Sequence, residues 1–392
     1  MPAIDIFDIK AQNVKRIIDV IRLKKSMTKK EIADATSLSF ATVSNLCNEL
    51  VNIGVIASSK KGGMSVGRTP NDLTFSSEKF NTICINLQMK GIMNFAVLTL
   101  SHNVVFQRTY DISAINDVEQ IIRYAKQILD KELPPNKNAN CTFVGVGVAV
   151  SAIFDIEKGI LINSAVDILT NVAMKNIVER IFGLPAYVDN EANLCALSVS
   201  QEEGKNANIV YLYLSQGVGV GVICQGRLFR GARGYAGEVA HMPIGDADML
   251  CPTCGNYGCI ENNLSVGGFL SKLYGTKKKY KLEDWNLFVR QLENGEKGAL
   301  AIAEHNGILL GKLASVLVNL FDPSIFYIGG EIARIFNFMK KPFCEEFRSR
   351  ILVMPGNELP IICDEYSDDT INVGISEELC NKWAATCATG AV

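Results

Sequence analysis

Apolar residues recur at helical spacing at Val14, Ile17, Ile18 and Ile21, which predicts a first amphipathic helix whose other face carries Lys15, Arg16 and Arg22. The pattern breaks over residues 24–27. Thr28-Lys29-Lys30-Glu31 then has the spacing of a capping box, a threonine hydroxyl for the backbone and a glutamate reaching back, and it starts a short helix through Ile32 and Ala35. Ser39 is placed to cap a third helix, with Val43, Leu46 and Leu50 as its buried stripe and Gly54 as the left-handed residue that ends it. Two short helices joined by the turn Thr36-Ser37-Leu38 predict a helix-turn-helix. Beyond it Val55-Ile56-Ala57 reads as a strand, Lys60-Lys61-Gly62-Gly63 as a hairpin tip and Gly67-Arg68-Thr69-Pro70 as the return, which together make a wing.

From about residue 80 the texture changes. Residues 82–87 and 95–100 read as strands, followed by a helix-period segment over 118–129. Short β-rich runs at 144–150, 185–188 and 209–214 then alternate with helical stretches at 171–182 and 192–203, the order expected of an α/β domain. A glycine-rich hairpin pair followed mostly by helices fills residues 208–392, with Lys277-Lys278-Lys279 on a solvated loop.

Length and composition narrow the class. With 392 residues, 48% of them hydrophobic and 20% charged, the chain can bury two or three cores. No apolar run reaches the roughly 20 residues of a membrane span, and Met1 to Lys10 lacks the basic-then-apolar order of a secretory signal, so a cytoplasmic protein is expected. Twelve cysteines in that compartment point to reduced thiols, and close spacing among them to metal before disulfide. The net charge of −2 hides an asymmetry: residues 1–75 hold eight Lys and three Arg against five Asp and two Glu, a net +4, and the remainder carries −6. A basic head on an acidic body suggests a nucleic-acid module. The third helix offers Ala41, Thr42, Asn45 and Asn48 opposite its buried stripe, short side chains able to reach base edges. Ser39, Thr42 and Asn45 are the candidate DNA contacts on that helix, and Lys60, Lys61 and Arg68 the candidate phosphate or minor-groove contacts of the wing.

The richest stretch runs through Gly217-Val218-Gly219-Val220-Gly221, Gly226-Arg227-Leu228-Phe229-Arg230-Gly231, Gly234-Tyr235-Ala236-Gly237-Glu238-Val239-Ala240-His241 and Cys251-Pro252-Thr253-Cys254-Gly255-Asn256-Tyr257-Gly258-Cys259-Ile260-Glu261. It closely resembles the signature of the ROK family, named for repressor, open reading frame and kinase. The resemblance extends to Phe182-Gly183-Leu184-Pro185, Asp189-Asn190-Glu191-Ala192-Asn193 and Ile328-Gly329-Gly330-Glu331. It implies an N-terminal winged helix-turn-helix, mostly α, on an α/β two-lobed actin-like ATPase body of ribonuclease H-like type. The units expected are a DNA-binding head over 1–75, a first lobe over 80–205 and a second lobe over 206–392 that holds the metal loop, its C-terminal helix packing back toward the first lobe. The winged head resembles the repressor branch, which includes xylose and N-acetylglucosamine repressors.

His241, Cys251, Cys254 and Cys259 form a closed four-ligand set with no water position, which predicts one structural zinc per chain. The family usually has one residue between the first two cysteines, and here there are Pro252 and Thr253. By resemblance to the kinases, the sugar would be held by Asn190, Glu191, Glu238, His241 and Glu261, carboxylates and an amide suited to a ring of hydroxyls.

Departures from the kinase pattern point away from catalysis. The base position holds Glu191 in place of Asp, one methylene too long for a positioned base. The first phosphate loop reads Asn86-Leu87-Gln88-Met89-Lys90 without Asp or a glycine pair, and Gln216 replaces the usual Thr of the second. Gly329-Gly330 serves equally as a helix-entry turn. Ser151-Ala152, Val166 and Ile168-Leu169 replace more polar family residues and predict a more apolar pocket wall. The expectation is a transcriptional repressor of carbohydrate-utilisation genes without kinase activity, acting on operator DNA as a homodimer or higher homo-oligomer, answering a small carbohydrate effector and associated with no membrane. Its rivals are an active sugar kinase with a DNA-binding extension and a regulator controlled by a protein partner.

Overall fold

The computed structural model describes residues 6–60, 71–87, 91–134, 141–155, 159–164, 167–203, 206–275, 280, 282–352, 358–365 and 367–389. The head comprises α1 (Ile6–Lys24), β1 (Ser26–Thr28), α2 (Lys29–Thr36), α3 (Phe40–Asn52), β2 (Ile56–Lys60) and β3 (Asn71–Phe75). The capping box forms: Glu31 N donates to the Thr28 hydroxyl at 3.3 Å and Thr28 N donates to the Glu31 carboxylate at 2.7 Å. Ser39 caps α3 by accepting from Thr42 N at 3.1 Å, and Val43, Leu46 and Leu50 are buried as the periodicity requires. Two details differ from the sequence pattern. The break at residues 24–27 is partly strand, because Met27 pairs with Leu73 and the small sheet has the order β1-β3-β2. The hairpin returns through residues 71–75, and Lys61, Arg68 and the rest of 61–70 lie outside the described residues. Lys60 ends β2, and its side chain is likewise outside them.

The body continues with β4 (Phe80–Asn86), β5 (Ile92–Thr99), β6 (Val104–Asp111), α4 (Val118–Glu132), β7 (Thr142–Ala149), β8 (Ala152–Asp155), β9 (Ile160–Ser164), α5 (Met174–Phe182), β10 (Ala186–Asp189) and α6 (Glu191–Glu203). Its second half has β11 (Ile209–Leu214), β12 (Val218–Cys224), β13 (Arg227–Leu228), α7 (Glu261–Leu264), α8 (Val266–Tyr274), α9 (Leu282–Glu293), α10 (Lys297–Phe321), β14 (Ile325–Gly329), α11 (Phe336–Arg350), β15 (Ile361–Asp364) and α12 (Ser367–Thr389). Two five-stranded sheets result, ordered β10-β7-β4-β5-β6 and β13-β12-β11-β14-β15. Each has an antiparallel meander, β4-β5-β6 or β11-β12-β13, with two further strands added parallel to its first strand. The same topology twice is the two-lobed actin-like arrangement.

Each sheet has its own core. Ile83, Phe95, Val146, Ile122 and Val178 fill the first, and Leu212, Phe326, Phe269, Trp285, Phe288 and Phe343 the second. By length and composition α10 is the one helix among the described residues able to cross a membrane, yet its Leu309, Leu310, Leu313 and Leu317 are buried in the second core.

Two helices trade places between the lobes. The α6 helix packs on β11 and β12 of the second sheet, while α12 packs on β4 and β7 of the first and crosses α6. Glycines make the crossing possible. A Cβ at Gly221 would run into the Ala192 carbonyl, one at Gly374 into the Leu194 carbonyl, and one at Gly147 into Ile375. The head is not a bead on a tether. Val14, Ile17, Ile18 and Ile21 of α1 share an apolar cluster with Phe80, Leu100 and Val144 of the first lobe and Cys380, Trp383, Ala384 and Cys387 of α12. Arg22, placed by the periodicity on the polar face of α1, turns inward and pairs with Glu377 at 2.7 Å.

Candidate functional site

The loop after β13 brings His241, Cys251, Cys254 and Cys259 together, their ligand atoms all within 4.8 Å of one another. Cys254 Sγ lies 3.4 Å from Cys259 Sγ, and Cys251 Sγ lies 3.7 Å from His241 Nδ1. A tetrahedral ion with bonds of 2.0–2.3 Å sets its donors roughly 3.3–3.8 Å apart, so the set fits one zinc. The thiols carry the same signal. A backbone N–H from Asn256 holds Cys254 below its usual value, whereas burial, then its sulfur neighbours, push Cys259 up to about 12, an arrangement a divalent cation relieves by taking both as thiolates. Beneath the loop Asp246 accepts from Lys272 of α8 at 2.8 Å and from Asn263 of α7 at 2.6 Å, and lies 2.7 Å from His305 Nε2 of α10. His305 gave no sign of this in the sequence, because its partner is 59 residues away.

The candidate sugar-binding carboxylates are electrostatic neighbours of one another and, through His241, of that loop. Asn190 caps α6, its side-chain oxygen accepting from Asn193 N at 2.9 Å, and Glu191 is the first residue of α6. Only 4% of Glu191 is exposed, and its Oε1 has no hydrogen-bond partner among the described residues. Burial raises its carboxyl to about 7, against its own backbone N–H and with help from Glu238, Asp189 and Asp368. Glu238 is likewise raised to about 7 by the protein crowded around it and by Glu261, although it remains open to solvent. Burial also raises Glu261, and His241 opposes that rise. Glu191, Glu238, Glu261 and His241 thus form a chain of electrostatic neighbours. Gly237, next to Glu238, packs directly on β12: its φ is +87°, and a Cβ there would run into the Val220 carbonyl.

A residue quoted above only as part of a glycine-rich run links the lobes next to Asn190. Arg230, in the glycine-rich run of the second lobe, reaches Asp189 of β10 at 2.5 Å and also donates to Tyr187 Oη. An ion pair therefore ties the lobes together one residue before Asn190. Its only sequence trace is an arginine among glycines.

The kinase features fare differently. Gln216 is exposed, and residues 88–90 of the first phosphate loop lie outside the described residues. Gly329 and Gly330 are required by the fold, since a Cβ would run into Tyr211 at the first and into the Leu214 carbonyl at the second, where φ is +88°. Of the residues expected to form an apolar wall, Leu169 is 1% exposed within the first-lobe core, Ser151, Ala152 and Ile168 are half-buried, and Val166 lies outside the described residues. On the head Ser39 and Asn45 are exposed and Thr42 partly so, with the Ser39 and Thr42 hydroxyls 2.9 Å apart. Asn48 accepts from Lys29 Nζ at 2.7 Å, which ties α3 back to α2.

The family model of ROK proteins matches residues 86–376. The chain belongs to the ROK family. A xylose repressor of Caldicellulosiruptor bescii is 28% identical over 383 residues, covering 93% of this chain and 94% of that protein. Among solved structures, a ROK transcriptional regulator described as a homologue of the E. coli MLC protein superposes with a TM-score of 0.80 at 19% identity, over 97% of this chain and 98% of that one. A ROK glucokinase of Streptomyces griseus, solved with glucose and AMPPNP, gives 0.62 at 18% identity over 76% of this chain and 98% of its own. The ROK fold of the body carries both kinds of protein, and the superposition that extends over the head is with the regulator.

Proposed function

We propose that this ROK protein is a DNA-binding transcriptional repressor of carbohydrate-utilisation genes, without kinase activity, whose cleft senses a small sugar. The observation that carries the reading is the head itself: a capped two-helix turn and β-hairpin, with α3 turning Ser39, Thr42 and Asn45 outward, packed onto a ROK body. The full-length likeness to a xylose repressor supports it. Ser39, Thr42 and Asn45 face base edges, with Lys60, Lys61 and Arg68 on the backbone. Asn190, Glu191, Glu238, His241 and Glu261 hold the sugar, and Glu191 at the base position leaves no catalytic residue. One structural zinc, on His241, Cys251, Cys254 and Cys259, fixes His241 and brings Glu261, two residues past Cys259, to the cleft. The units are the head over 1–75 and lobes over 80–205 and 206–392, and two heads in a homodimer read a palindromic site.

The test is a binding series on full-length protein with genomic operator candidates and mixed-sequence duplex across a salt range. Arg68→Ala is expected to weaken binding to every duplex and lower the salt slope by about 1, whereas Asn45→Ala narrows the preference between duplexes. No shift of any duplex at low salt would sink the proposal.

A further inference from the structure

The cleft and the head are far apart in sequence, yet two helices connect them. Asn190 and Glu191, the first-lobe members of the cleft, form the cap and first turn of α6. Three residues on, the Leu194 carbonyl lies so close to Gly374 of α12 that no Cβ fits between them. The two helices are in backbone contact at that point. Along α12, Ile375 and Leu379 rest on Gly147 and Gly145 of β7. Its next face meets α1: Arg22 donates to Glu377 Oε2 at 2.7 Å and to Cys380 Sγ at 3.3 Å, and its Nη2 lies 2.9 Å from His102 Nε2. Burial, then the Arg22 guanidinium, press His102 down to about 3, so it stays neutral and accepts.

We propose that α12 transmits changes in the cleft to the head, with the buried Arg22–Glu377 ion pair as the coupling. The pair is the one charged contact between α12 and α1 among the described ion pairs, and Glu377 is fully buried. A pair so placed holds one geometry firmly and releases it all at once, because either charge alone would be stranded away from water. The surrounding packing is also improvable. Asn372 Oδ1, Ser376 Oγ and Glu377 Oε1, all on α12 and all buried, have no hydrogen-bond partner among the described residues. A helix with unpaired buried acceptors has something to gain from a second position, which a two-position element requires. What the head does with the movement rests on the DNA-binding reading; the mechanical link does not.

The experiment is amide hydrogen exchange on the zinc-loaded full chain, with no effector needed. Two levers act on the α6–α12 crossing: Gly374→Ala, a wedge, and Leu194→Ala, which thins the apolar cluster between the sheets. Either is expected to speed exchange in α1 tenfold or more together with α12, while α10 stays within threefold of wild type. In a Glu377→Gln background the added effect of the same lever on α1 should fall below threefold. Acceleration confined to α6 and α12 would overturn the proposal, and so would transmission that survives Glu377→Gln. Equal acceleration everywhere, α10 included, would also count against it, since no route is then singled out. Mixed-sequence duplex at low salt, titrated into the same proteins, separates the two readings: a wild type that binds no DNA sinks the regulator reading and leaves the exchange result standing.

Discussion

Replacing Glu191 with Gln should stabilise the protein, increasingly so as pH rises from about 4.5 to about 7. The carboxyl ordinarily titrates at 4.5 and here at about 7, chiefly because burial penalises its charged form. The folded state therefore keeps its proton where the unfolded chain has lost it, so stability falls as pH rises from about 4.5 and levels off above 7. At about 1.4 kcal/mol per pH unit the gap amounts to about 3 kcal/mol, of which about 2.5 kcal/mol falls between pH 5 and 8. No discount for solvent applies to a side chain 4% exposed. Glu191→Gln keeps the shape and neutrality of the protonated acid and removes the penalty. Urea unfolding of both proteins at pH 5 and pH 8 should show a small difference at the lower pH and a variant more stable by about 3 kcal/mol at the higher one. Equal pH dependence of the two would refute the reasoning, and with it the burial of Glu191 among neighbouring carboxylates.

Elemental analysis should find one zinc per chain, and Cys254→Ser should lower both metal content and melting temperature; metal-free protein that melts unchanged would dismiss the site. The protein should not consume ATP in the presence of sugars, and Glu191→Asp should not restore turnover, because residues 86–90 also lack the Asp and glycine pair of the kinase pattern; sugar-dependent ATP consumption above a contaminating-kinase control would refute this.

The sequence was most legible where the physics is local. The Thr28–Glu31 capping box, the Ser39 cap and the stripe of Val43, Leu46 and Leu50 need only neighbours within a few residues, and each appears in the structure as its spacing requires. The four candidate metal ligands were equally plain, since 18 positions separate the first from the last and the chain has only three histidines. Pairings between distant elements left no trace. Arg22 looked like one more basic residue of an exposed face, and nothing near it announces Glu377, 355 residues on. The role of α12 was hidden for a related reason: the first sheet, α6 and α1 surround it, so it buries residues on several faces and shows no single apolar stripe. Arg230 and His305 belong with these, each defined by a carboxylate on another element.

The position of α12 also orders the events of synthesis. The ribosome makes it after every other element described, yet Trp383 and Cys387 complete the apolar cluster of the head, and Ile375 and Leu379 cover β7 of the first lobe. Head and first lobe must therefore wait, partly uncovered, while residues 206–366 of the second lobe are translated, a long interval in which apolar surface is open to wrong partners. A nascent chain halted before residue 367 would hold a capped and helical head resting only on Phe80, Leu100 and Val144 of the first lobe, and only a chain that has reached α12 can complete its docking.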